Sequence, residues 1–502
     1  MMFGDLPLLS ITIAIPAVTA LLLAFVKPTD RAALRAIALG GTIFTFIFSL
    51  NLISETDASA GFQLTETIEW IPEWGVSYSL GVDGISLFLV ILTSFIFPLV
   101  ILASWEQVER AKGFFVSLMT LQSALIGVFL GLDLLLFYVF FEIMLVPMYA
   151  LIGVWGGKNR RYASIKFFLY TLVGGLLMLI AILYLSFKAG GSFDYTTLLQ
   201  TDLSRTEQIW LFWAFFVAFA IKLPLFPLHT WLPDAHTEAP TVGSVVLAAV
   251  MLKIGGYGFL RFNLPLFPEA ADLYAGPILA LGVIGVLYGA MVAMVQSDVK
   301  RLVAYSSVAH LGFIAIGIFA LQPTAASGAV VQMVNHGLTT GCLFLLIGFM
   351  YDRTHSRAIA DYSGLMKATP IFGGLFLMAV MSSIALPGLN GFVGEFPILI
   401  GTYQTVPWAG VTAAFGVILA ALYLLWAYQR MFHGPVGGHA ETMTDLNARE
   451  IAVVAPLLVL MLVIGLYPKP LYDRVTPSVE AVLQQVDADL AAAQNATVSD
   501  SE

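Results

Sequence analysis

The 502-residue chain contains a single cysteine, Cys342, and it lies inside an apolar run. One thiol can form no internal disulfide, no CxxC redox pair and no thiolate-ligated iron–sulfur cluster, so all three are excluded. Charge is scarce as well. Asp, Glu, Lys and Arg together make up 11% of the chain, against roughly 25% in a soluble globular protein. Neither GxGxxG nor GxxxxGK[ST] occurs, so the two glycine-rich phosphate-binding loops are absent. The net charge of −9 lies mostly in loops and the tail, and it gives no reason to expect a nucleic-acid partner.

What is present is apolar surface: 59% hydrophobic residues and a mean hydropathy of +0.89. It is divided into runs near 8–26, 36–53, 83–104, 113–132, 134–155, 166–187, 209–228, 241–262, 275–296, 302–321, 326–350, 370–387, 396–430 and 451–467. A helix needs about 20 apolar residues to cross a bilayer, so the pattern predicts an all-α polytopic membrane protein with about 14 transmembrane helices. The run Leu8 to Val26 has no basic flank and no small-residue cleavage site, and reads as a retained span. Sixteen of the 23 lysines and arginines fall in one set of alternate loops, five in the other, and two inside spans. The positive-inside rule then places both termini on the outer side. The alanine-rich, acidic tail from Tyr472 to Glu502 shows helical periodicity and is expected against a neighbour on the outer surface, or partly disordered.

Two spans are interrupted. In KLPLFPLHTWLPDAH, Pro224 and Pro227 lack the N–H groups that would bond the carbonyls of Ala220 and Leu223. In the twelfth run, Pro387 stands among Gly388, Gly391 and Gly394. Pro224 and Pro387 are 163 residues apart, and the fourth and ninth spans start 162 apart. That register predicts two five-helix repeats, each with one broken helix, inverted because five is odd. Such breaks point to a transport site. The chain divides into an N-terminal three-span segment (1–112), a first repeat (113–262, spans 4–8), an inverted second repeat (275–431, spans 9–13), and a last span with an acidic tail (450–502).

Four ionisable residues sit at membrane depth: Glu142, Lys222, Lys253 and Glu395. Each costs at least about 2.5–3.5 kcal/mol to insert. A structural Glu142–Lys222 ion pair accounts for two of them. A proton relay accounts for all four, with Glu142 approaching and leaving Lys222 to load and release a proton toward Lys253. Histidines extend the set: His229 and His236 in and after the first break, and His310 and His336 in two spans of the second repeat. An apolar-helix histidine is more often a packing residue, yet only imidazole titrates unperturbed near neutral pH. His310 and His336 are therefore candidates to carry protons between Lys253 and Glu395. HTWLPDAH has no common zinc-ligand spacing, so no metal site is expected.

KLPLFPLHTWLPDAHTEAPT, Glu142 two spans earlier, YSSVAHLGF and NGFVGEF together resemble the antiporter-like proton-pumping subunits of respiratory complex I, which share a fold with subunits of multisubunit Na⁺/H⁺ antiporters. The likeness runs over the whole chain. The related chains L and N carry a lysine in the second broken helix; one branch carries glutamate, as here at Glu395. The resemblance implies that Glu142 and Lys222 form a carboxylate–lysine pair, that Lys253 is the central lysine and that Glu395 is the proton-exit group. It also implies a non-redox subunit of a proton-translocating NADH:quinone oxidoreductase in a bacterial cytoplasmic membrane, with chains L and N on either side. By the same resemblance, this chain holds no cofactor, and NADH, FMN, iron–sulfur clusters and quinone are expected on other subunits. The alternatives are a cation/proton antiporter subunit, a ferredoxin- or hydrogenase-linked relative, and a scaffold whose buried charges only fix helix register.

Overall fold

Apolar runs that cannot stay in water close their backbone hydrogen bonds within themselves, which leaves the helix as the spanning element. The computed structural model describes residues 6–105 and 109–499. Among these, eleven helices are long and apolar enough to cross a membrane: the chain is a multi-pass membrane protein. Two shorter apolar helices, Leu87–Ala103 and Pro370–Ser383, stand beside them. Arg205–Lys222 and Asn390–Thr405 complete the bundle. The run at 396–430 is thus two helices, Asn390–Thr405 and Pro407–Phe432.

Burial sorts the bundle. The most apolar stretches of Thr241–Leu266 and Pro323–Thr354 are wholly buried, and that of Val299–Phe319 is 94% buried, against 28% for Arg31–Glu55. The three central helices carry Lys253, His336 and His310, which are thereby held in the interior of the bundle.

Each interruption is closed in the same way. At the first, Leu225 N–H donates to the Ala220 carbonyl (2.8 Å) and Leu228 N–H to the Leu225 carbonyl (2.7 Å). The Ala220 carbonyl is therefore bonded, against the expectation that Pro224 leaves it free. The Trp231 indole donates to the Ile221 carbonyl (2.9 Å). At the second, Leu386 N–H donates to Met381 and Leu389 N–H to Leu386, both at 3.1 Å. Ala220 and Met381, Leu225 and Leu386, and Leu228 and Leu389 are each 161 residues apart. A second motif also recurs. Asp133 caps Leu135 and Leu136 and bridges to Asp194, while Asp298 caps Lys300 and Arg301 and bridges to Ala358. The two lie at opposite ends of the bundle. One is beside the hairpin described next, through Asp133 accepting from Ser77 N–H (2.9 Å). The other adjoins the basic loops, through Arg357 on Asp298 (3.3 Å).

Two segments depart from the sequence expectation. Gln63–Ile71 and Val76–Val82 pair as an antiparallel hairpin, because TIEW and VSYSLGV alternate polar with apolar residues. Its Glu66 accepts from Leu9 N–H (2.7 Å) and Ser10 N–H (3.0 Å), which satisfies the free start of helix Leu8–Phe25. The tail forms helix Lys469–Ser499, which packs on its own chain. Val475, Val479, Val482 and Val486 make one buried stripe. Arg474 holds the carbonyls of Ile53 (2.9 Å) and Thr56 (3.1 Å), and Ser478 Oγ accepts from Gly84 N–H (3.0 Å).

Candidate functional site

Lys253 lies in helix Thr241–Leu266, which widens into π-helical turns at Leu247–Met251 and Phe259–Asn263. Such turns free carbonyls that a regular helix would use, and they recur at functional sites. The Lys253 ammonium takes the Ala248 carbonyl, five residues back, and bonds His336 Nδ1 at 2.7 Å. The His336 ring centroid lies 5.8 Å from that of His310, with the rings tilted by 60°. His310 Nδ1 in turn bonds Glu395 Oε1 at 2.6 Å. Gln332 donates to the same carboxylate oxygen (2.9 Å), and Ser383 lies 3.4 Å from His310 Nε2. Lys253, His336, His310 and Glu395 are all at most 3% exposed.

Four helices thus bring four titratable groups into one buried line with a single gap, between the two imidazoles. His336 Nε2 has no hydrogen-bond partner among the described residues, so it is free to serve that gap. An imidazole can accept a proton on one nitrogen and release it from the other. Bond exchange along the line needs only small side-chain movements.

Glu142 and Lys222 are arranged differently. Glu142 lies just before Met144, which separates helices Leu134–Ile143 and Leu145–Trp155. Lys222 is the last residue of Arg205–Lys222. The two interact electrostatically, yet Glu142 Oε1 and Lys222 Nζ form no hydrogen bond among the described residues. A hydrogen-bonded structural ion pair is therefore not what holds them. Lys222 Nζ rests 4.7 Å from the Phe141 ring centroid and 5.8 Å from that of Phe167, a cation–π seat. Glu142 lies over Gly175, where any Cβ would collide with its carboxylate. The lysine is buried and the glutamate half-buried, with its Oε1 turned inward against Gly175.

The first break places the remaining histidines apart. His229 packs against Phe226 and Tyr288, 5.6 and 5.1 Å between centroids. His236, expected in a loop, lies in the short helix Trp231–Glu238, fully buried and stacked on Phe344 at 4.8 Å. Pro224, Pro227 and Pro387 all fall in the non-helical breaks.

Several buried ionic groups escaped sequence reading. Arg261, counted as a loop cation, is buried in the second π-helical turn, bonded to Asp83 and over the Phe62 ring (4.7 Å). Lys300, also counted in a loop, is buried and donates to the Ala239 carbonyl at 2.6 Å. Gln332, a polar residue on the wholly buried stretch of Pro323–Thr354, could have been picked out by that position alone. No group of three or more His, Cys, Asp and Glu among the described residues is placed to hold a metal ion.

The family model described as NADH:quinone oxidoreductase/Mrp antiporter, TM, matches residues 131–422, and that for the amino terminus of NADH-ubiquinone oxidoreductase chain 4 matches 11–128. The chain is 44% identical to NADH-quinone oxidoreductase subunit M of Rhodobacter capsulatus, over 98% of this chain and 99% of that one. It is 42% identical to NADH-ubiquinone oxidoreductase chain 4 of Arabidopsis thaliana, over 95% and 97% respectively. Among solved structures, a chain of respiratory complex I from Thermus thermophilus superposes with a TM-score of 0.88 at 33% identity, over 96% of this chain and 100% of that one.

Proposed function

The chain belongs to the NADH-quinone oxidoreductase subunit M and chain 4 family, and from that premise we propose that it carries protons across the membrane through a Glu/Lys/His relay driven by redox chemistry in neighbouring subunits. The observation that carries this reading is the buried line Lys253–His336, His310–Glu395. Four ionisable groups in one buried line at the centre of an apolar bundle are costly to keep, and a pathway for protons is the use such a line fits. The proton path comprises Glu142, Lys222, Lys253 and Glu395, with His310 and His336 as carriers and His229 and His236 in support.

The bundle is read as fourteen spans, counting each broken helix once, with Thr241–Leu266 as the eighth. The recurrence of both backbone closures at an offset of 161, and of the Asp133 and Asp298 motifs at opposite ends, supports two inverted five-helix repeats. Their bounds follow the helices, about 111–266 and 268–432. Placing the basic loops on the inner side puts both termini outside the cytoplasmic membrane of a bacterium. One cysteine cannot ligate a cluster, so NADH, FMN, iron–sulfur and quinone chemistry is assigned to other subunits of the complex. Antiporter-like chains L and N are the expected neighbours.

Lys222→Ala in the assembled complex tests the relay, with NADH-driven quinone reduction and vesicle proton uptake recorded together and Lys222→Arg as the control that keeps charge. Sharp loss of uptake in complex that assembles normally places Lys222 in the path. Unchanged uptake makes the lysine structural.

A further inference from the structure

A cavity of about 620 Å³ opens at the basic end of the bundle, among the loops that join its helices, and Glu238, Asp298, Lys300, Tyr351, His355 and Arg357 are among its lining. Lys300 forms part of its floor. Its side chain is buried at 5% exposure, and its ammonium sits on the Ala239 carbonyl (2.6 Å) at the end of helix Trp231–Glu238. That is the negative end of the helix, where a cation is stabilised. Inside the same short helix lies His236, with no exposed surface and no hydrogen-bond partner for either ring nitrogen among the described residues. Leaving a buried polar group unbonded costs on the order of 1–3 kcal/mol, so this imidazole is set for a partner that comes and goes. His236 is near enough to Lys300, Lys253 and His336 for their charges to act on one another.

We propose that Lys300 is the inlet residue of the second half of the path, passing protons from the basic-face cavity through His236 to the Lys253–His336 pair. The step conserves charge: the ammonium releases one proton toward His236, and the amine left behind takes one from the cavity. The inlet does not pass through Glu142 and Lys222, so the line ending at Glu395 can be loaded independently of that pair. This inference rests on the relay reading above. It differs from a purely structural role for Lys300, in which the ammonium only caps the end of Trp231–Glu238.

Three substitutions in the complete complex separate the two. Lys300→Met removes both charge and titration, Lys300→Arg keeps charge and the cap but does not release its proton, and Lys300→His keeps a titrating group. Protons taken up per electron are measured in vesicles, with assembly checked on native gels and Glu395→Gln run alongside. The expected result is loss of uptake per electron in Lys300→Arg and Lys300→Met, with partial recovery in Lys300→His. Full uptake in Lys300→Arg overturns the inlet, because charge alone then suffices. If Lys300→Met fails to assemble, the Arg and His variants decide. If Glu395→Gln loses uptake while every Lys300 variant keeps it, the inlet is wrong and the relay stands. If Glu395→Gln keeps it too, the relay itself has failed.

Discussion

Two buried clusters in the bundle hold similar charges in opposite states. Around Glu395 the groups are bonded: carboxylate to His310 at 2.6 Å and Lys253 to His336 at 2.7 Å. Around Lys222 they are not. Its ammonium lies over aromatic faces and its carboxylate partner packs against Gly175. A bonded line passes a proton by exchanging bonds in place. An unbonded pair gates one, because approach of the carboxylate stabilises the ammonium and withdrawal destabilises it. On the relay proposed above, the difference divides the work: the Glu142–Lys222 pair gates its own proton, and the bonded line carries protons to Glu395.

The sharpest break of this comparison is Lys253→Ala. Removing a positioned proton-transfer group costs about 10²-fold or more, and proton-coupled quinone reduction is expected to fall on that scale in complex that assembles fully. A loss below tenfold means the bonded line is not the main route. Glu142→Gln should cost less, about tenfold, because it leaves every group of the bonded line from Lys253 to Glu395 in place. Turnover as low as in Lys253→Ala would place Glu142 inside the line instead of at its gate.

Gly175→Ala sharpens the gate itself. The new methyl displaces the Glu142 carboxylate, so coupled turnover should fall by less than in Glu142→Gln. Combining the two substitutions should add nothing, because both act through one side chain. Additive losses would show that Gly175 matters only for packing. The smallest effect concerns the frame. Asp133→Ala and Asp298→Ala each remove a helix cap, worth about 1 kcal/mol, and each cap has one further partner. Thermal unfolding in detergent should report similar losses for both, as the same motif used twice. A loss at one position alone would weaken the case for a repeat.

Much of this was legible because a membrane makes polar residues conspicuous. Pro224 and Pro387 marked the breaks, since a missing N–H has a consequence wherever water is absent. Lys253 and Glu395 stood out by insertion cost, and the offset between breaks was readable to within two residues. The closures were not. No residue type signals that Leu225 will reach back five positions to Ala220, nor that the helix holding Lys253 will widen into π-helical turns. Arg261 and Lys300 lie so near span ends that charge alone placed them in loops, and only packing shows Asp83 and the Ala239 carbonyl as their partners. The hairpin has its alternation in plain view in VSYSLGV, but the glutamates before it give the stretch the composition of an acidic loop. The tail's valine stripe showed a helix without showing which surface it covers.

The most direct test is a double-mutant cycle across the gap between the two imidazoles. His336→Ala and Glu395→Gln are introduced singly and together, and protons taken up per electron are measured in vesicles carrying fully assembled complex. Groups in series fail as a unit, so each single variant should lower the ratio and the double should lower it no further. Losses that add, or a single variant that keeps the full ratio, contradict a continuous path from Lys253 to Glu395.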